Sequence, residues 1–276
     1  MCVSNIFSQK KDKNRDYYFF DDDYLYKSKP TVDISYGYSK LTLKNSGITF
    51  SNSGMVDLKL GYTFLAPSRF NKRIIKYETN FLYGAQISPN LYSSKNLNYG
   101  NGRTWSFGAG TAKGYGYGIG KSSAIILYNS NSFFWTKYDD GIATELFLSN
   151  GQYNTINDYK GTFRFGTGTE AGILIPTARW LNLQLQFDRT LVFPRHLVWK
   201  QFGIMLIEGA SQAIIDTFIK SIMKSSPFAG PIMNFVLKNA LSYGIYELRR
   251  DKMNWPFQST QPMLFDTFKG GFSLMF

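Results

Sequence analysis

The stretch PMLFDTFKGGFSLMF, residues 262–276, decides the fold. At the two-residue period of a β-strand, Phe268, Gly270, Phe272, Leu274 and Phe276 share one face, and Thr267, Lys269, Gly271 and Ser273 share the other. One side is greasy to the last residue, while the other carries hydroxyls, glycine and a cation. Such a strand fits a wall with hydrocarbon on one side and a polar interior on the other.

Seven further segments repeat the pattern. Residues 31–43 set Val32, Ile34, Tyr36 and Tyr38 on one face, and residues 56–65 set Val56, Leu58, Leu60, Tyr62 and Phe64 against Asp57, Lys59, Gly61 and Thr63. Residues 74–87 separate Ile75, Tyr77, Phe81, Tyr83 and Ile87 from Lys76, Glu78, Asn80 and Gln86, predicting an inward Lys76 and Glu78. In 104–120, Trp105, Phe107, Tyr115, Tyr117 and Ile119 alternate with a column of small residues from Ser106 to Gly118, which weakens a strand unless something needs the space. Residues 123–138 are apolar on both faces. Residues 162–175 set Phe163, Phe165, Ala171, Ile173 and Ile175 against Arg164, three glycines and Glu170, and 180–193 set Leu181, Leu183, Leu185 and Phe187 against Asn182, Gln184, Gln186 and Asp188. The inward face then gathers Asp57, Lys59, Lys76, Glu78, Arg164, Glu170, Asp188 and Lys269. Eight strands enclose a space that side chains can fill, so these charges are expected to pair and plug it.

The connections alternate in length. Those at 66–73, 121–122 and 176–179 are short, whereas 45–54, 88–103, 139–161 and the stretch of more than sixty residues after Phe193 are long. In transmembrane barrels short turns face the periplasm and long loops the exterior. The last connection carries helical periodicity. Glu208, Gln212, Asp216, Lys220 and Lys224 recur every four residues, with Asp216 placed to pair Lys220, while Ile204, Ile207, Ile214, Phe218 and Ile222 gather elsewhere on the wheel. After the break SSPFAGP, a second helix from Ile232 to about Arg250 carries Phe235, Val236, Leu241, Ile245 and Leu248 beside a row of Asn234, Lys238 and Ser242. Each run is near spanning length, but Glu208, Asp216, Lys220 and Lys238 make a crossing costly, so the hairpin, 199–252, is expected outside the hydrocarbon on the extracellular side.

Composition agrees. The chain has 276 residues, 17% aromatic, with 24 Phe, 19 Tyr and 25 Gly, a mixture suited to strands and interfacial belts. A mean hydropathy of −0.23 argues against a polytopic helical membrane protein but is what alternating strands average to. The net charge of +12 is spread over pairs such as Lys10 and Lys11 with no nucleic-acid module, so a phosphorylated lipid surface is the expected acidic partner. Cys2 is the single cysteine and no spacing of ligands recommends a metal, so neither cofactor nor metal is expected. Residues 1–8 read as the remnant of a signal peptide, residues 9–30 as a periplasmic tail, and 31–276 as one barrel. The acidic run Asp21, Asp22 and Asp23 reads as solvated. The glycines from Gly108 to Gly120 lack the Lys-Ser/Thr ending and the helix of a phosphate loop.

Taken with its closing Phe276, the set resembles the small outer-membrane barrels of bacteria typified by outer membrane protein A and X, over residues 31–194 and 262–276. The resemblance implies an eight-stranded antiparallel up-and-down transmembrane barrel in the outer membrane of a Gram-negative bacterium, with a two-helix insertion between strands 7 and 8. The insertion departs from that family, so the family's adhesion and wall-tethering roles are not carried over. Its apolar residues Ile204, Ile207, Ile214, Phe218, Ile222, Phe235, Leu241 and Ile245 are the candidate partner surface, which points to a non-enzymatic subunit of an outer-membrane complex serving barrel assembly, secretion or nutrient import. Arg195, Lys200, Arg249, Arg250 and Lys252 bracket the hairpin and are candidates for lipopolysaccharide phosphates, with Trp199 and Trp255 at interfacial depth. Two alternatives remain: a lipid A-modifying enzyme centred on His196, the single histidine, and a soluble lipocalin-like barrel, which puts its greasy face inside.

Overall fold

The computed structural model describes residues 27–44, 50–92, 102–119, 123–139, 156–195 and 198–276. The signal-peptide remnant 1–8, nearly all of the tail 9–30 and His196 lie outside the described residues. Eight strands form a closed antiparallel barrel in chain order: β1 (Ser28–Leu43), β2 (Ser53–Pro67), β3 (Ile74–Ser88), β4 (Arg103–Ile119), β5 (Ser123–Asp139), β6 (Phe163–Pro176), β7 (Leu181–Val192) and β8 (Met263–Met275). β8 closes the ring by pairing both neighbours, Leu274 standing opposite Val32 of β1 and Leu181 of β7. Closure satisfies every strand edge, which an open sheet cannot do in hydrocarbon.

The faces sort as the alternation requires in β1, β2, β7 and β8. Ile34, Leu58, Leu60, Tyr62, Leu183, Leu185, Phe268 and Phe272 are exposed on the outer wall, while Asp33, Asp57, Lys59, Gln184, Gln186, Asp188 and Lys269 are buried inside. This polarity is the reverse of what a lipocalin-like barrel needs.

β3 is inverted relative to expectation. Tyr77 and Phe81 are buried in the lumen with Ile75 and Ile87, and Lys76 and Glu78 stand on the outer wall. There Glu78 bridges Lys76 at 3.0 Å and Lys113 at 3.1 Å. The reason lies in the neighbouring strand: Tyr77, Phe81 and Tyr83 pair with Gly114, Gly110 and Gly108 of β4. A Cβ on Gly110 would sit 2.6 Å from the Phe81 ring, so the ring occupies the room that the glycine leaves. The same fit recurs across β5 and β6, where Phe134 and Tyr128 lie over Gly166 and Gly172. It also explains the two apolar faces of β5: Ile126, Tyr128 and Phe134 fill the lumen, whereas Phe133 and Trp135 face outward. At the long-loop end Ile156 and Tyr159 cap the interior against Leu41, Leu43 and Phe265. Tyr159 donates to the Gln261 carbonyl at 3.0 Å, and burial together with Asp158 pushes its phenol pKa up.

The insertion lies between β7 and β8 as expected, and consists of α1 (Val198–Ser225) and α2 (Gly230–Asp251). Its course differs from the expectation. It starts at the long-loop end, yet Ile219 and Met223 of α1 pack on Ile74, at the short-turn end of β3. Tyr117, near the same end of β4, donates to the Phe228 carbonyl in the link between the helices. α2 then climbs back: Asn129 of β5 donates to Asn239 at 2.8 Å, Tyr246 donates to Asp266 of β8 at 3.0 Å, and Asp251 pairs with Lys44 at the top of β1. The hairpin therefore lies along the outer wall from one end of the barrel to the other. Helices of 28 and 22 residues reach about 42 and 33 Å, enough to match a hydrocarbon layer of about 30 Å. Of the charges that argued against this, Glu208 and Lys238 turn toward protein and Asp216 meets Lys238 of α2 at 2.7 Å rather than Lys220, which is exposed toward the short-turn end of α1.

Candidate functional site

The lumen holds one ion network. Lys269 of β8 contacts Asp57 of β2, Asp188 of β7 at 2.6 Å and Glu170 of β6 at 3.2 Å. Lys59 donates to the same Glu170 oxygen at 2.6 Å, and the Tyr128 hydroxyl donates to its other oxygen at 3.0 Å. Lys59 also stands 4.8 Å over the Phe81 ring. With the aromatic rings this fills much of the interior, and among the described residues it lines a void of about 50 Å³, room for a few waters. The network joins four strands, so its function is structural: each charge is tolerated because its partners are held in place by the barrel itself.

The second feature is outside. α2 is an inverted amphipath, whereas α1 buries the apolar Ile204, Ile219 and Met223 and exposes further apolar residues together with Lys220 and Lys224. Asn234, Ser242 and Arg249 of α2 are buried and Lys238 nearly so, while Trp199, Phe202, Leu206, Ile214 and Phe218 of α1 and Ile232, Val236 and Leu248 of α2 are exposed, Ile214 at 71%. The wall beneath matches. Where the hairpin lies, the outward positions are Thr111, Asn129, Asn131, Thr167, Thr169 and Arg189 in place of the aliphatics found elsewhere. Arg189 is roofed by Tyr243 at 4.2 Å and rests on Phe187 at 4.9 Å. A lone arginine on a lipid-facing wall costs about 2–4 kcal/mol at mid-depth, and the hairpin removes that cost by covering it.

Between wall and helices a cleft of about 400 Å³ remains, in the half nearer the long loops. Phe165, Leu191 and Phe193 form its floor, Ile204, Met205 and Ile245 its roof. Arg249 closes its outer end, its guanidinium 5.1 Å over the Phe193 ring and its Nε donating to the Met253 carbonyl at 3.1 Å.

No protein-family model and no curated protein matches the chain. Solved structures similar to it include the following two. The crystal structure of Neisserial surface protein A shares 8% identity at a TM-score of 0.41, covering 90% of this chain and 97% of that one. Ail, the attachment invasion locus protein of Yersinia pestis, shares 8% at a TM-score of 0.33, covering 90% and 99%. At these values neither likeness bears on function, and the eight-stranded topology rests on the strand register described above.

The candidate residues divide. Ile207, Ile214 and Phe218 are exposed on the outward face of α1; Ile222, Phe235 and Leu241 are half-buried; Ile204 and Ile245 turn to the cleft. Of the basic set, Arg195 is exposed, Lys200 donates to the Gln258 carbonyl at 2.7 Å, and Arg250 pairs with Glu247 at 3.0 Å. Lys252 is half-buried, and Arg249 has left the surface for the cleft. Arg189 and Gln201, which line the same cleft, were not singled out in the sequence, and Gln212 was legible only as a member of the polar row of α1. The signal was an arginine at an outward strand position, where hydrocarbon alone would exclude it.

Proposed function

We infer that the protein is an integral outer-membrane barrel acting as a non-enzymatic interaction subunit of a membrane complex, and that it docks through its wall-bound hairpin. The observation that carries this reading is the orientation of the hairpin. The polar row of α2 is spent on the barrel, and a broad apolar face of α1 formed by Phe202, Leu206, Ile214 and Phe218 looks outward, with Lys220 and Lys224 exposed toward its short-turn end. The inner side of the hairpin completes the wall by covering Arg189 and its polar neighbours, and the apolar outer face of α1 is left for contact with lipid or a partner. An extra helical surface of this size supports lateral association with another membrane protein, for which small, plugged barrels have no other evident device. The lumen, much of it filled, supports the same reading by leaving little room for transport.

The test is photo-crosslinking in native membranes from a benzophenone residue placed at Ile207, Ile214, Phe218 or, on the uncovered outer wall of β3, Leu82. The reading expects one common protein adduct from the three α1 positions and none from Leu82. Adducts to lipid alone at all four positions would overturn it.

A further inference from the structure

The cleft beneath the hairpin has the chemistry of a ligand site. Its volume of about 400 Å³ falls in the range of about 300–1,000 Å³ usual for small-molecule pockets. That is room for one alkyl chain, too little for the several chains of a bilayer lipid. The exposed lining surface is mainly apolar, although the wall residues Thr111, Asn131, Thr167 and Thr169 also border it. Arg249, buried, stands at the outer end with Glu208 within electrostatic reach, and Arg189 lies deeper, opposite Asp266 of β8; among the described residues lining the cleft two are cationic and one, Glu208, is a carboxylate. The Nε2 atoms of Gln201 and Gln212 are buried in the same cleft with no hydrogen-bond partner. Buried donors without acceptors destabilise a fold by about 1–3 kcal/mol each, and an oxygen-bearing ligand would supply what they lack. Gln201 belongs to the first turn of α1 and Arg249 to the last turn of α2, so both stand at the rim end of the antiparallel pair.

We propose that this cleft binds a long-chain fatty acid, its alkyl chain lying between the Phe165–Leu191 wall and the Ile204–Ile245 roof and its carboxylate received by Arg249 and Gln201. Neutral alkyl chains satisfy the floor and roof but leave the cation and the amide donor unmet. A two-chain lipid presents an anion but not a single enclosed tail. The inference rests on the hairpin's seat on the wall and is independent of any protein partner.

The test uses the full chain, purified in a maltoside detergent, with tritiated palmitate as probe. Expected are saturable binding at one per barrel, affinity for hexadecanol weaker by about ten-fold or more, and loss of that preference in Arg249→Gln. Gly209, whose added Cβ would meet nothing within 4 Å, supplies a variant that keeps the fold: Gly209→Leu should weaken palmitate by narrowing the cleft. Retained heat-dependent gel mobility certifies that each variant is folded. Absence of saturable binding by folded wild-type protein, equal affinity for hexadecanol, an unchanged preference in the folded Arg249→Gln protein, or displacement of palmitate by equimolar two-chain phosphatidate would each overturn the proposal.

Discussion

Lys269 is the residue on which the interior turns, since it meets Asp57, Glu170 and Asp188 from three other strands. Replacing it by methionine keeps the volume and takes the cation from Asp57 and Asp188, while Glu170 keeps Lys59 and Tyr128, a change expected to lower stability by about 3–5 kcal/mol. Urea titration followed by the heat-dependent gel shift measures it. The glycines are equally specific. The three atoms nearest a Cβ on Gly172 all belong to the Tyr128 ring and hydroxyl, so Gly172→Ala should cost about 1–3 kcal/mol through overpacking. Because the nearest obstacle is that side chain, Tyr128→Leu should relieve that cost, and a double-mutant cycle should return a coupling of opposite sign to the single effects. Additive effects would mean that ring and glycine do not share the space.

At the level of elements, β1, β2, β7 and β8 were legible because aliphatic residues alternate with charges and amides, and only one assignment of faces suits a membrane wall. β3 was not, because Tyr77, Phe81 and Tyr83 suit either a lipid belt or a lumen. What decides is the run of glycines opposite them, a property of the β3–β4 pair rather than of either strand. The hairpin failed for a related reason. Its polar and apolar rows were visible, but the rule that polar rows face water inverts when the surroundings are hydrocarbon and the neighbour is a polar wall. Asp216→Asn tests that seat, for it leaves Lys238 facing the barrel without its partner. With Asp216 about half exposed the expected loss is modest, about 1 kcal/mol, read as faster proteolysis at the 226–229 link while the barrel stays intact.

For the molecule as a whole, two features divide the work: a filled interior holds the barrel, and a covered outer wall carries the hairpin. The first predicts that the purified protein, reconstituted in a planar bilayer, shows no ion conductance above background, whereas steady single-channel steps would contradict a lumen void of about 50 Å³. The second is the central claim, that α1 and α2 lie on the barrel at bilayer depth instead of projecting from its rim. Ile214, near the middle of α1 and outward-facing, reports on it directly. A nitroxide attached at Ile214→Cys in a Cys2→Ser background, in protein reconstituted into liposomes, should relax faster with oxygen than with a water-soluble nickel chelate. Faster relaxation by the nickel chelate would place the hairpin in water and contradict the account.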